Sequence, residues 1–238
     1  MNVLAKSSSR KSKKGNERMF LIMLPIAIIV LLGIIFVLNR QGEKIKTDEM
    51  VNKPAVEFNL EGQPTLGSKD AKVSVVEFGD YKCPACKIWT DEVYPKLKAD
   101  FVDTGKVSFT FVNKLVIPKS ELASEAAEEV FRQNPESFWT YHHELYTSQQ
   151  NEQKDWVTVP FLVDLAKRVV PEVDAGQLEK ALNDRTMQGK VAGDEEMAHK
   201  AGVTGTPTVF VNGKEFTGEW DNYSQLKEFI ETALNEAK

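Results

Sequence analysis

The chain has 238 residues, 42% of them apolar and 27% charged, a globular balance that excludes a disordered chain, a collagen-like repeat and a polytopic membrane protein. Two cysteines exclude a disulfide-stapled mini-fold, and with only three histidines beside them they argue against a four-ligand Cys/His zinc cage. The net charge of −5 hides an asymmetry: residues 1–40 carry seven Lys/Arg against one Glu, so the rest is strongly acidic and unsuited to a broad nucleic-acid-binding face.

Met19 to Leu38 is an uncharged, mostly apolar run. At about 1.5 Å per residue its helical length is about 30 Å, one bilayer core. Lys6, Arg10, Lys11, Lys13, Lys14 and Arg18 precede it, and such a positive cluster stays in the cytosol. A cleaved signal peptide is the competing reading. It would need a shorter apolar region and a small-residue cleavage site, which Asn39-Arg40-Gln41-Gly42 does not supply. Residues 1–18 are therefore expected to be a basic cytosolic tail, 19–38 a single transmembrane anchor and 39–54 a polar tether. Residues 55–238 form the folded body, placed outside the cytosol where disulfides persist.

In the body, Lys72 to Phe78 is β-branched and apolar, a strand ending at Gly79. Cys83-Pro84-Ala85-Cys86 follows and opens a helix, with proline at its first position. Cys86, Trp89, Val93 and Leu97 share one apolar face, and Pro95 should kink the helix. Val107 to Val116 reads as a second strand. Residues 119–184 then read as an all-helical insertion of four helices. The first spans Ser120 to Gln133, and the second carries Phe138, Tyr141, His142 and Leu145. The third carries Phe161 to Val169 and stops before Pro171, and the fourth is capped by Asp174. Strand signals return at Pro207 to Val211, Asn212-Gly213 is a hairpin turn, Lys214 to Thr217 is the return strand, and Leu226 to Leu234 marks a final amphipathic helix.

Two cysteines three apart at a helix start can close a small redox-active disulfide. Free N–H groups and the macrodipole at the N-terminus favour a thiolate on Cys83, and Cys86, one turn deeper, is expected to be the shielded resolving thiol. A purely structural disulfide fits poorly, because so short a loop adds little chain-entropy stabilisation. A zinc half-site lacks a matching pair. Other motifs carry less. His143-Glu144 lacks the second histidine of a zinc-protease helix, and the glycines at 202–205 lead into a strand without a phosphate-loop lysine. His142 is expected to pack beside Trp139. Asp194-Glu195-Glu196 reads as a solvated acidic face, with a structural Ca²⁺ on one of these carboxylates as the sharper alternative.

Three segments carry a resemblance: Val75-Val76-Glu77-Phe78-Gly79-Asp80-Tyr81-Lys82-Cys83-Pro84-Ala85-Cys86, Phe138-Trp139-Thr140-Tyr141-His142, and Gly202 to Gly213 with Thr206-Pro207 before a strand. From about residue 60 to the end, the chain resembles the thioredoxin superfamily. Within it, the chain resembles the DsbA-like thiol-disulfide oxidoreductases and is most similar to their membrane-anchored Gram-positive BdbD branch. The resemblance implies an α/β thioredoxin fold with an inserted all-helical domain. It also implies that Pro207 is a cis-proline facing the disulfide, that the backbone of Thr206 pairs with an extended substrate, and that Glu77 is a buried acid exchanging a proton with Cys86. No cofactor beyond the Cys83–Cys86 pair is implied. The implied partners are unfolded exported proteins and a quinone-reducing membrane oxidase of the DsbB/BdbC type, and the protein is expected to be a monomer. Ala85 departs from the family's strongest oxidants, which have histidine there, so the disulfide should be less oxidising. The expected activity is oxidation of thiols in exported proteins. The alternatives are a membrane-tethered reductase or isomerase of the same fold, or a non-catalytic copper-binding module.

Overall fold

The computed structural model describes residues 30–37, 55–68 and 70–237 and divides the chain into two units, Met1–Glu49 and Met50–Lys238. In the first unit, residues 30–37 are helical with exposed apolar side chains. They lie inside the expected anchor; the rest of that span, the basic tail and the whole of the tether fall outside the described residues. Among the described residues no helix is long and apolar enough to cross a membrane.

The second unit is built on a five-stranded sheet in the order β1-β3-β2-β4-β5. The strands are β1 (Thr65–Leu66), β2 (Val73–Gly79), β3 (Val107–Asn113), β4 (Thr208–Val211) and β5 (Lys214–Glu215). β2 runs parallel to β3 and antiparallel to β4, so it is central and buried on both faces, which explains its nearly unbroken apolar sequence. One face packs Val73, Val75, Phe109, Val209 and Val211 against Trp89, Val93 and Leu97 and the C-terminal helix; the other packs Val76, Phe78, Val112 and Phe210 against Ala198 and Val203.

β2 leads into α1 (Pro84–Glu92). The helix breaks at Val93, resumes as α2 (Tyr94–Leu97) and loosens into a π-turn at Lys98–Val102. Pro95, which has no N–H to donate, accounts for the break. The insertion follows as α3 (Glu121–Gln133), α4 (Ser137–Thr147), α5 (Val159–Val169) and α6 (Ala175–Asp184). Asp174 caps α6 as expected, through the N–H groups of Gly176 and Gln177. Then come α7 (Gln188–Lys200), the β4–β5 hairpin with positive φ at both Asn212 and Gly213, and α8 (Tyr223–Glu236).

Three expectations need correction. β3 stops at Asn113 instead of reaching Val116, because the next backbone N–H groups turn to carboxylates: Leu115 donates to Glu195, and Val116 and Ile117 donate to Asp80. β5 ends at Glu215 rather than Thr217, although Phe216 N–H still reaches the Val209 carbonyl at 2.8 Å. The acidic triplet is not a solvated face: Asp194 is 1% exposed and Glu195 is tied to Lys114, leaving Glu196 paired with Lys200 at the surface. β1 has no counterpart in the sequence reading. The segment before it also enters the core: Val56 N–H donates to the Gly213 carbonyl at 2.8 Å, and the Phe58 ring packs on Phe78 and Phe210.

Candidate active site

Cys83 is the N-cap of α1, with Pro84 next to it at the first helical position. A turn closes behind it, where Cys83 N–H donates to the Asp80 carbonyl at 3.0 Å. Both cysteines are free thiols, Cys83 7% exposed and Cys86 fully buried. The Cys83 thiol is lowered to about 6: against partial burial, the Cys86 thiol stabilises its sulfur most, then the Thr206 side chain, then the backbone N–H groups of Cys86 and Ala85. The same pair pushes Cys86 well above the ordinary thiol range, through burial first and then its bond to Cys83. One sulfur thus favours the thiolate and keeps a little exposure, while the other is protonated and hidden.

Thr206 and Pro207 face this pair from the loop before β4. The Thr206–Pro207 bond is cis, and the Thr206 carbonyl lies 3.4 Å from the Cys83 sulfur. When Cys83 is protonated, the carbonyl accepts from its thiol; the buried Thr206 hydroxyl has no other partner and is left to favour the thiolates of both cysteines. Glu77 is 1% exposed on β2, with one carboxyl oxygen unpartnered. Burial raises it well above the usual carboxylate range, and the charge on Cys83 raises it further. It therefore faces the interior rather than solvent. His142 packs beside Trp139 with ring centroids 5.5 Å apart, bonds the Tyr81 hydroxyl through Nδ1, and is held neutral by burial.

Three further side chains shape the site and were not singled out from sequence. The Asp80 carboxylate accepts from Lys82 N–H on one oxygen, and from Val116 N–H, Ile117 N–H and the Ser120 hydroxyl on the other, joining the CxxC turn to the start of the insertion. Its signal was an aspartate just ahead of a tight turn. Tyr146 brings a buried, unpartnered hydroxyl over Gly79, where an added Cβ would lie 2.9 Å from it. Gln149 donates to the carbonyls of Tyr81 and Cys83, and no sequence pattern marks it.

The Asp194 carboxylate joins a different group. It accepts from Gln63, Asn113 and Lys190, and Asn113 also bonds Glu128. Lys190 supplies the positive charge to this pair of acids. Among the described residues no group of three or more His, Cys, Asp or Glu side chains is placed to hold a metal ion.

A thioredoxin sheet, a helix-capping CxxC with unequal thiols and a facing cis-proline define a thiol-disulfide oxidoreductase, whose redox equivalents reside in the cysteine pair without a cofactor. The comparisons agree. A thioredoxin family model matches residues 59–232. Disulfide bond formation protein D of Bacillus subtilis is 40% identical over 193 residues, covering 79% of this chain and 85% of that one. The probable disulfide bond formation protein D of Bacillus anthracis is 37% identical over 224 residues, covering 93% and 99%. The crystal structure of oxidised BdbD from B. subtilis superposes with a TM-score of 0.72, covering 77% of this chain and all of that one. Chlamydia trachomatis DsbA, at 24% identity and a TM-score of 0.68, shares the fold. The chain belongs to the thioredoxin family and, within it, to the disulfide bond formation protein D group. Membership implies thiol-bearing protein substrates and a redox partner.

Proposed function

We propose that the protein is an extracytoplasmic dithiol oxidase, held at the cell membrane by residues 19–38, with residues 1–18 in the cytosol and 39–54 as the tether. The observation that carries this reading is the unequal thiol pair, Cys83 lowered to about 6 and Cys86 raised. A substrate thiolate attacks the Cys83 sulfur of the disulfide, and the Cys83–Cys86 bond breaks. The electron pair leaves on Cys86, which takes a proton from the buried Glu77 carboxyl. A second substrate thiolate then attacks the substrate sulfur of the mixed disulfide and displaces Cys83 as a stabilised thiolate. Two electrons have passed to the enzyme and one disulfide to the substrate. Thr206, its backbone beside the sulfur, pairs with the extended substrate strand, and Pro207 holds that loop open to it. A quinone-reducing membrane oxidase of the DsbB/BdbC type takes the electrons away, and the anchor raises the effective concentration of the enzyme near it.

Equilibration of the Cys83–Cys86 pair against glutathione tests the direction. A potential of about −120 to −180 mV supports an oxidase, whereas one near about −270 mV, where thioredoxin sits, assigns the chain to the reductant alternative. Cys83→Ser should abolish exchange, and retained activity would remove Cys83 from the mechanism. Recovery of the full chain in washed membranes tests the anchor.

A further inference from the structure

The loop that follows α4 reaches from the insertion back to the cysteines. Gln149, half-buried, uses both hydrogens of one amide: Nε2 donates to the Tyr81 carbonyl at 2.9 Å and to the Cys83 carbonyl at 3.0 Å. The two carbonyls flank Lys82, whose own N–H is held by Asp80 at 2.7 Å. The Cys83 carbonyl is also the first acceptor of α1, but its helical partner, Lys87 N–H, stands off at 3.2 Å. Gln149 therefore makes the shorter of the two bonds to the carbonyl at which the helix begins. Cys83 has no side-chain cap to help it. With both carbonyls pinned toward Gln149, the first-turn N–H groups of Ala85 and Cys86 stay aimed at the Cys83 sulfur. A carbonyl released from Gln149 could swing toward the sulfur and set its negative end against a thiolate.

We propose that Gln149 is a positioning residue for Cys83, through which the helical insertion holds the CxxC turn in the geometry that lets the Cys83 sulfur exchange. The proposal rests on Cys83 being the exchanging thiol. Its role requires donors, not bulk, and that separates it from simple packing.

The test follows alkylation of the reduced full chain by iodoacetamide against pH, with the labelled cysteine identified by peptide mass. Gln149→Met keeps the length and loses both donors, Gln149→Glu also adds a negative charge, and Gln149→Lys retains donors and adds a positive one. The expected midpoints rank Lys at or below wild type, Met higher by on the order of one pH unit (thiolate at pH 7 falling from about nine-tenths to about half), and Glu higher still. Midpoints unchanged in Met and Glu, or displaced equally in all three variants, would overturn the positioning role. Wild-type labelling that falls on Cys86 before Cys83 is a distinguishable failure: it overturns the site assignment and the proposal with it.

Discussion

Replacing Asp80 by asparagine is the sharpest probe of how the redox turn is built. Four donors converge on this carboxylate, one on Oδ1 and three on Oδ2. An asparagine can keep only one oxygen, and it does best by offering it to Val116, Ile117 and Ser120. Its amide then faces Lys82 N–H, donor against donor. One backbone N–H in a buried turn loses its partner, at about 1–3 kcal/mol, and three charge-assisted bonds become neutral, each weaker by about 1 kcal/mol. Burial has already raised the Asp80 carboxyl, so a neutral side chain recovers part of that desolvation cost. The net loss should be about 2–4 kcal/mol. Asp80→Ala, which strands all three backbone N–H groups, should lose more. For a domain of this size about 3 kcal/mol lowers Tm by about 6–12 °C. Urea unfolding at pH 7, read by tryptophan fluorescence and by circular dichroism, measures both variants. An Asp80→Asn loss below about 1 kcal/mol, or an alanine milder than the asparagine, would refute the bonding scheme.

Other outcomes follow from the same geometry. Gly79→Ala sets a Cβ 2.6 Å from the Phe111 ring and 2.9 Å from the Tyr146 hydroxyl, and should cost about 1–3 kcal/mol in denaturant unfolding. Cys86→Ala removes the largest stabiliser of the Cys83 thiolate, so its absorbance titration should move up from about 6; a midpoint that stays put would give the effect to the Thr206 side chain and the helix N–H groups together. Glu128, raised to about 7 by burial, keeps a proton that the unfolded chain releases near pH 4.5. The glutamate's contribution to stability should therefore fall as pH rises from about 4.5 to 7, by at most about 3 kcal/mol, and Glu128→Gln should remove that contribution. His142, lowered to about 3, acts with the opposite sign, its contribution falling away as pH drops below about 6.5. A difference profile between wild type and Glu128→Gln isolates the glutamate, and a profile with no slope between pH 5 and 7 would contradict its buried, proton-holding state.

Much of this architecture was legible because it is periodic. The 3.6-residue spacing of Cys86, Trp89, Val93 and Leu97 placed a buried helix face under the cysteines, and all four side chains are buried. The helices of the insertion carried their own apolar stripes and stop signals, Pro171 and Asp174 among them. What the sequence hid depends on partners far away in the chain. Two residues of β1 are too short to show any period. The end of β3 is set by carboxylates at positions 80 and 195, which no local window includes. Asp194 looked solvated within a run of acids, yet it is buried beside Asn113 and Gln63, and only Lys190, four residues before it on the same helix, hinted at a partner. The burial of Glu77 came from the resemblance and not from the strand pattern, for a related reason. Alternation alone cannot tell which face of a central strand is wet when both are covered.

The short run from Val56 to Leu60 closes the sheet face opposite the cysteines, resting on Phe78 and Phe210 and bonded to the hairpin at Gly213. The fit at the hairpin admits nothing larger than glycine: φ is +75° and an added Cβ would meet the Val56 carbonyl. Where a protease cuts therefore decides how well the remaining fragment is covered. A cut ahead of Ala55 would release a domain with both sheet faces roofed. A cut after Leu60 would uncover the aromatic pair and leave a catalytic fragment that sticks to itself and to any exposed apolar chain.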